Sequence, residues 1–432
     1  MSLGALALGT LFTDEARAAS ALAPRKPPLP CKAKHVIHIF AGGAPSHLDT
    51  FDYKPTLEKF RDQTAAGFSG VLWPSPFKFQ RSGKSGLEIS ELFPHLQKVA
   101  DELCIVRSLH SEIPAHGPGA KFMNTGSAVL TRPSLGSWLL YGLGTENQNL
   151  PGFVALGGAP ELRQSAFLPS LYQGAKTDFK ANTPVDKVLS NLRSEFSSLD
   201  QQRAQLDLVR GLNERHMKTV QRDEQLEARI ESFELAFQMQ TAATDAFDIA
   251  KEPKAIREAY GKGEVAAKLL CARRLVERGV RFVQVEAGGW DHHGNLVASI
   301  GKTSQAVDQP AAALIADLKQ KGLLDETLII WGGEFGRPPN TAGRINDSSG
   351  RDHWSKVYCC WMAGGGVKAG TAYGESDELG AEPAKDPVHL HDLHATILRL
   401  LGFDHTQLTY RYNGRDFRLT DNYGQIVNGI IG

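Results

Sequence analysis

The stretch "VRFVQVEAGGWDHHGN", residues 280–295, decides how this chain folds. Its first six residues, Val280 to Val285, form an apolar run long enough for a buried strand, and the paired glycines Gly288 and Gly289 end it. Polar residues then follow at once, with Asp291, His292 and His293 lying between those glycines and Gly294. In an open α/β sheet, ligands bind just beyond the carboxyl ends of the strands. The triplet is therefore read as part of a site at the carboxyl edge of a sheet.

Working outward, the same rhythm repeats on both sides. "AAKLLCARRLVERG" before the strand and "QPAAALIADLKQKGL" after it carry helical spacing, while "TLIIWG" (Thr327 to Gly332) and "VYCCWMAGG" read as further strands. "HDLHATILRLLG" closes the series as a helix. Upstream, "HVIHIF" (His35 to Phe40) and "LCIVRSL" (Leu103 to Leu109) read as strands, and "LEISELFPHLQKVADE" between them is expected to be helical. From about 183 to 258 the texture changes to long charged amphipathic stretches, which predict an inserted helical subdomain. The expected fold class is α/β, a mostly parallel central sheet with helices on both faces, spanning 31–432.

Composition limits the function. The chain has 432 residues, 41% of them hydrophobic, enough for a substantial core. Lys plus Arg and Asp plus Glu each number 48, so the balanced charge argues against a nucleic-acid partner. The five cysteines show no CxxC spacing and read as small buried hydrophobes. Residues 1–30 combine a short apolar run, "MSLGALALGTLF", with "ARAAS" and a proline-rich linker. They read as a truncated export signal, which predicts a periplasmic or cell-envelope location, with a cytoplasmic tail as the alternative. No stable membrane span is expected.

The acidic and histidine residues fall into register with the strands. Asp49 follows the first strand, His116 the second, Asp291 and His293 the third and Glu334 the fourth, while Asp352 and His353 precede "VYCCW". A lone Asp or His in a loop is ordinarily solvated or a helix cap. Recurrence at strand end after strand end is not explained that way. Carboxylate and imidazole together suit zinc, manganese or iron, and calcium remains open, with one or two divalent ions expected. A second histidine-rich segment, His389, His391 and His394, opens the last helix, where Asp392 is expected to cap.

These motifs resemble a family. "ARRLVERGVRFVQV", "GGWDHHGN", "DETLIIWGGEFGR", "GRDHW", "MAGGGVKAGTAYGESDE" and "LTYRYNGRDFRLTD" are similar to the exported bacterial DUF1501 proteins, as is "AGGAPSHLDTFDYKP". That family resembles a sulfatase-like branch of the alkaline phosphatase superfamily. The resemblance implies Asp291, His293, Glu334 and His353 as metal ligands, with Phe335 where a ligand histidine would stand and His292 behind the ligands. It puts His116 at the nucleophile position, where an imidazole cannot become formylglycine. Gly42 falls at the usual first-strand aspartate, leaving Asp49 or Asp52 to substitute.

Two functions follow. One is a metal-dependent hydrolase of phosphate or sulfate esters on a small molecule or glycan, with His116 and Arg337 catalytic and Asp49, Asp291, His293, Glu334 and His353 on the metal. Arg337 then neutralises charge on the transferred group or serves as an ion-pair partner, and Lys121 is a weaker choice. The other is an exported, metal-stabilised binding or scaffold protein without turnover. Oligomeric state is not legible.

Overall fold

The computed structural model describes residues 22–181, 183–184, 187–188, 198–217 and 245–432. Nine strands form the main sheet: β1 (His35–Phe40), β2 (Leu103–His110), β3 (Phe153–Leu156), β4 (Ala175–Thr177), β5 (Phe282–Glu286), β6 (Thr327–Gly332), β7 (Tyr358–Ala363), β8 (Thr371–Tyr373) and β9 (Val388–His389). Their order is β8-β2-β7-β6-β1-β5-β3-β4, with β9 also on β2. β1 lies parallel to both β5 and β6, and β3 pairs parallel with β5 and β4. Only β7 runs antiparallel to its neighbours in this sheet. The expected fold class, mostly parallel with helices on both faces, is what the chain adopts.

Both faces of the sheet are covered, which explains why the central strands are continuously apolar. In β1, Ile37 and Ile39 pack into one core cluster while Val36 and Phe40 pack into the other. The principal helices are α1 (His116–Thr125), α2 (Leu135–Leu143), α3 (Glu264–Glu277), α4 (Leu296–Gln320) and α5 (Leu390–Leu400). Leu269, Leu275, Ile300 and Leu314 of α3 and α4 fill the first cluster, whereas Leu139, Leu393 and Ile397 of α2 and α5 fill the second.

Several local expectations are corrected. Residues 87–102 do not form one helix: Leu87–Ser90 is a strand paired with Phe79–Ser82, followed by a 3-10 stretch at Leu96–Glu102. Leu87 and Ile89 are buried around a more accessible Glu88, a period of two, and Pro94 interrupts any helix. The backbone N–H groups of His95 and Leu96 donate instead to the carboxylate of Asp308, at 2.9 and 2.8 Å. The helix expected from 309 begins earlier, at Leu296, directly after the "DHHGN" loop, and continues through Pro310.

Of the inserted segment 183–258, the described residues include helices at Leu199–Met217 and Lys254–Tyr260, while 185–186, 189–197 and 218–244 lie outside the described residues, as do residues 1–21 of the export-like segment 1–30; its residues 22–30 are described, with Leu22 buried in the second core cluster. All five cysteines are free thiols, four of them buried. Among the described residues, no helix is long and apolar enough to cross a membrane.

Candidate metal centre

The site forms where the ends of β1, β2, β5 and β6 meet the start of β7. Because β7 is antiparallel, the loop that precedes it emerges at the same edge as the loops that follow the parallel strands. That is why His353 joins residues from strand exits. His116 comes from the first turn of α1, Asp291 and His293 from the loop after β5, and together with His353 they offer four ligand atoms within 4.8 Å of one another.

The hydrogen bonds behind these side chains fix what they present. His353 Nδ1 lies 2.9 Å from the carbonyl oxygen of Pro114, which can only accept, so Nδ1 carries the hydrogen and Nε2 keeps its lone pair. His116 Nδ1 lies 2.6 Å from Glu334 Oε1, which also accepts the Gly43 N–H at 3.0 Å. His116 Nε2 thus keeps its lone pair as well; it is buried, makes no hydrogen bond, and stands 3.2 Å from Asp291 Oδ1. His293 Nε2 lies 3.0 Å from the same oxygen and 2.9 Å from His353 Nε2. A carboxylate-backed histidine offering its other nitrogen is the usual support for a metal ligand. Lone pairs converging on one carboxylate oxygen call for a cation between them, and the donor set fits a divalent transition metal.

Arg337 sets the state of Asp291. Burial alone would raise the Asp291 carboxyl, but the hydrogen bond and charge of Arg337, helped by His116 and His293, bring it down to about 2. The carboxylate is therefore charged at any ordinary pH. Arg337 is 1% exposed and each of its three nitrogens is engaged: Nε donates to Ala44 O at 2.9 Å, one terminal nitrogen to Arg351 O at 3.1 Å, and the other to Gly43 O at 2.5 Å and Asp291 Oδ1 at 2.6 Å. Burial, with smaller effects of Arg337, His116 and His293, outweighs the Pro114 hydrogen bond and lowers His353, favouring its neutral, ligating form.

Not every expected residue joins the cluster. Asp49 is fully buried and spends both oxygens on Arg351, at 2.8 and 3.2 Å, with Ser46 adding a hydroxyl at 2.5 Å, so it is a structural ion pair away from the four ligands. Asp52 pairs with Lys54 at 3.1 Å and with the Ser376 hydroxyl. Glu334 stands behind His116 rather than among the four, although its Oε2 is buried without a partner. His116 enters as one of the four ligand donors, and Arg337 has no guanidinium nitrogen left over for a transferred group. Lys121 donates to Val129 O at 2.5 Å, apart from the cluster. His292 turns toward Thr303 Oγ1, 3.3 Å away.

Sequence reasoning missed the backbone groups, Pro114 O and Gly43 N, because a carbonyl or amide leaves no residue-type signal. It missed the role of Arg351, although "GRDHW" carries that residue two positions before the ligand histidine.

Similar folds occur among solved structures. The PsFucS1 sulfatase from Pseudoalteromonas sp. is 16% identical, with 92% of this chain and 71% of that one covered and a TM-score of 0.36. The alkaline phosphatase from the Antarctic bacterium TAB5 is 11% identical, covering 79% and 95%, with a TM-score of 0.33. A phosphonate monoester hydrolase from Silicibacter pomeroyi is 13% identical, covering 72% and 68%, at 0.29. No curated protein matches the sequence. Residues 33–431 match the family described as "Protein of unknown function (DUF1501)", and the chain belongs to that family.

Proposed function

We propose that this chain is a metal-dependent hydrolase of phosphate or sulfate esters. The observation that carries the reading is the convergence of His116, His293 and His353 Nε2 atoms on Asp291 Oδ1, with two of the three imidazoles held from behind in the ligating tautomer. These four residues would hold the ion, zinc or manganese by their chemistry. Such an ion supplies Lewis acidity toward an anionic ester and toward water.

The chain's own residues do the rest. Glu334 and Pro114 O hold the His116 and His353 rings, and Arg337 keeps Asp291 ionised and aimed. In hydrolysis a water oxygen bonds to phosphorus or sulfur as the bond to the ester oxygen breaks, and a proton passes from the water to the released alcohol. Asp352, exposed and 3.6 Å from His293 Nδ1, would carry that proton.

Turnover of 4-nitrophenyl phosphate and sulfate tests this reading. With zinc or manganese supplied, the wild type should exceed the buffer rate, and Asp291→Asn should cut the rate by on the order of a thousandfold. A wild type that binds metal yet never exceeds buffer would replace it with the binding-protein reading, which the engagement of all three Arg337 nitrogens by Ala44, Arg351, Gly43 and Asp291 favours.

A further inference from the structure

Beside the metal cluster lies a pocket of about 360 Å³ that shares His293 with it. One wall is the turn around Ser348, and the other is the segment Asn340–Thr341 facing Ser69. Neither wall is loose. Ser348 O and Ser349 O accept the N–H groups of Asn295 and Leu296, at 3.1 and 2.9 Å, which stitches the first wall to the loop that carries Asp291 and His293. Gly350 permits that approach, since a Cβ there would come within 2.1 Å of the His293 carbonyl carbon. The second wall is paired with Val71 and Leu72, and Asn340 donates its side-chain amide to Ser69 O.

The chemistry of the lining is selective. Among the described residues, the hydroxyls of Ser69, Thr341 and Ser348 make no hydrogen bond, so they are free to donate to and accept from a ligand. The lining carries a single carboxylate, Asp352, and one imidazole, His293, with no Lys, Arg, Phe, Tyr or Trp. Asp352 accepts hydrogen bonds from hydroxyl groups and repels a second anion. An aryl group would find no apolar wall. The volume is near the lower end of the roughly 300–1000 Å³ typical of ligand pockets, enough for a single ring.

We infer that this pocket holds the alcohol portion of the ester, and that this portion is an uncharged, polyhydroxylated ring of monosaccharide size, contacted by Ser69, Thr341, Ser348 and Asp352. The inference rests on the hydrolase reading for the ester, but the pocket can be tested without turnover.

Saturation-transfer NMR of the full zinc-loaded chain with methyl glucoside reads binding directly. Methyl glucoside should bind, and Ser348→Trp, at an exposed position whose backbone bonds are kept, should abolish the signal with the melting temperature unchanged. Thr341→Val, close in shape but lacking the hydroxyl, should weaken it. In turnover, a hexose phosphate or sulfate should exceed the phenyl ester by about tenfold or more in kcat/KM, and Ser348→Trp should lower the hexose ester selectively. Binding that is lost in Ser348→Trp, in a chain that hydrolyses no ester, would sink the hydrolase reading and leave the pocket standing. Absence of methyl glucoside binding, or binding unaffected by Ser348→Trp, would overturn the pocket. So would a phenyl ester cleaved as well as the hexose ester, with both lowered alike by the variant.

Discussion

Among the described residues, two groups of three histidines invite comparison, and one of them forms a group whose ligand atoms could hold a metal. In the first, His116, His293 and His353 turn their Nε2 atoms toward one another and toward Asp291, while carbonyl and carboxylate groups hold two of the rings from behind. In the second, His389, His391 and His394 follow the spacing of one helix start and do not gather into a ligand group, although His391 Nδ1 and His394 Nδ1 are buried without a hydrogen-bond partner. His389 Nδ1 accepts the His391 N–H as a helix cap and its Nε2 meets Glu112 at 2.9 Å, while His394 Nε2 meets Met123 O at 2.8 Å. Asp392, expected as the cap, is instead the third-position partner whose carboxylate accepts the His389 N–H at 3.0 Å. Closeness along the chain yields a capped helix; convergence from three separate segments yields a candidate ligand set.

The largest way to disturb the first group is from beneath. Arg351 and Asp49 form a fully buried ion pair, with Trp73 stacked 4.7 Å from the guanidinium, and the Arg351 carbonyl also holds Arg337. Arg351→Met should destabilise the chain by about 3–5 kcal/mol, because the Asp49 carboxylate is left buried and unpaired. Denaturant unfolding measures this, and a loss under about 1 kcal/mol would deny the pair its structural role. The next largest effect separates the two groups directly. His353→Ala should weaken zinc binding by on the order of a hundredfold or more, since one donor of four is gone, whereas His391→Ala should leave it unchanged. Competition against a chromogenic chelator reads both, and equal losses would erase the contrast.

Smaller effects sharpen it further. Glu334→Gln should lower zinc affinity by about ten- to a hundredfold, the usual cost of altering the support of a ligand histidine, if Glu334 acts through His116. A loss as large as that of His353→Ala would place Glu334 on the metal itself. The second group should show in pH instead. Burial, with the neighbouring histidines, lowers His391 to about 3, and burial lowers His394 and His38 to about 4. A histidine depressed in the folded state is stabilising above its unfolded value, near 6.5, and that contribution is lost as pH falls toward 4. Stability should therefore decline over that interval with uptake of about one proton per histidine on unfolding. His394→Leu should flatten the slope, and an unchanged slope would mean that His394 is not held neutral.

Five of the nine sheet strands, β1, β2, β5, β6 and β7, were legible as short apolar runs, most of them closed by glycine, whereas β3, β4, β8 and β9, only two to four residues long, were not read; the site was legible because its residues stand next to those runs. Asp291, His293, His353 and His116 could each be read from position alone. Asp49 could not be separated from them, since the Arg351 that claims it lies 302 residues away. Glu334 stands at the right strand end, yet whether it faces a metal or a histidine is a matter of side-chain direction that residue spacing does not carry. The misread stretch 87–102 contains both periods, and tertiary packing against Asp308 decided between them.

Metal binding itself is the most direct test. Metal-free chain titrated with zinc and with manganese, by calorimetry and in parallel by thermal unfolding, should take up one ion per chain and melt at a higher temperature, because a ligand bound only by the native state stabilises it. In the Asp291→Asn, His353→Ala double variant both signals should vanish while the fold remains. A wild type that binds neither ion and gains no thermal stability would contradict the assignment of His116, Asp291, His293 and His353 as a metal centre.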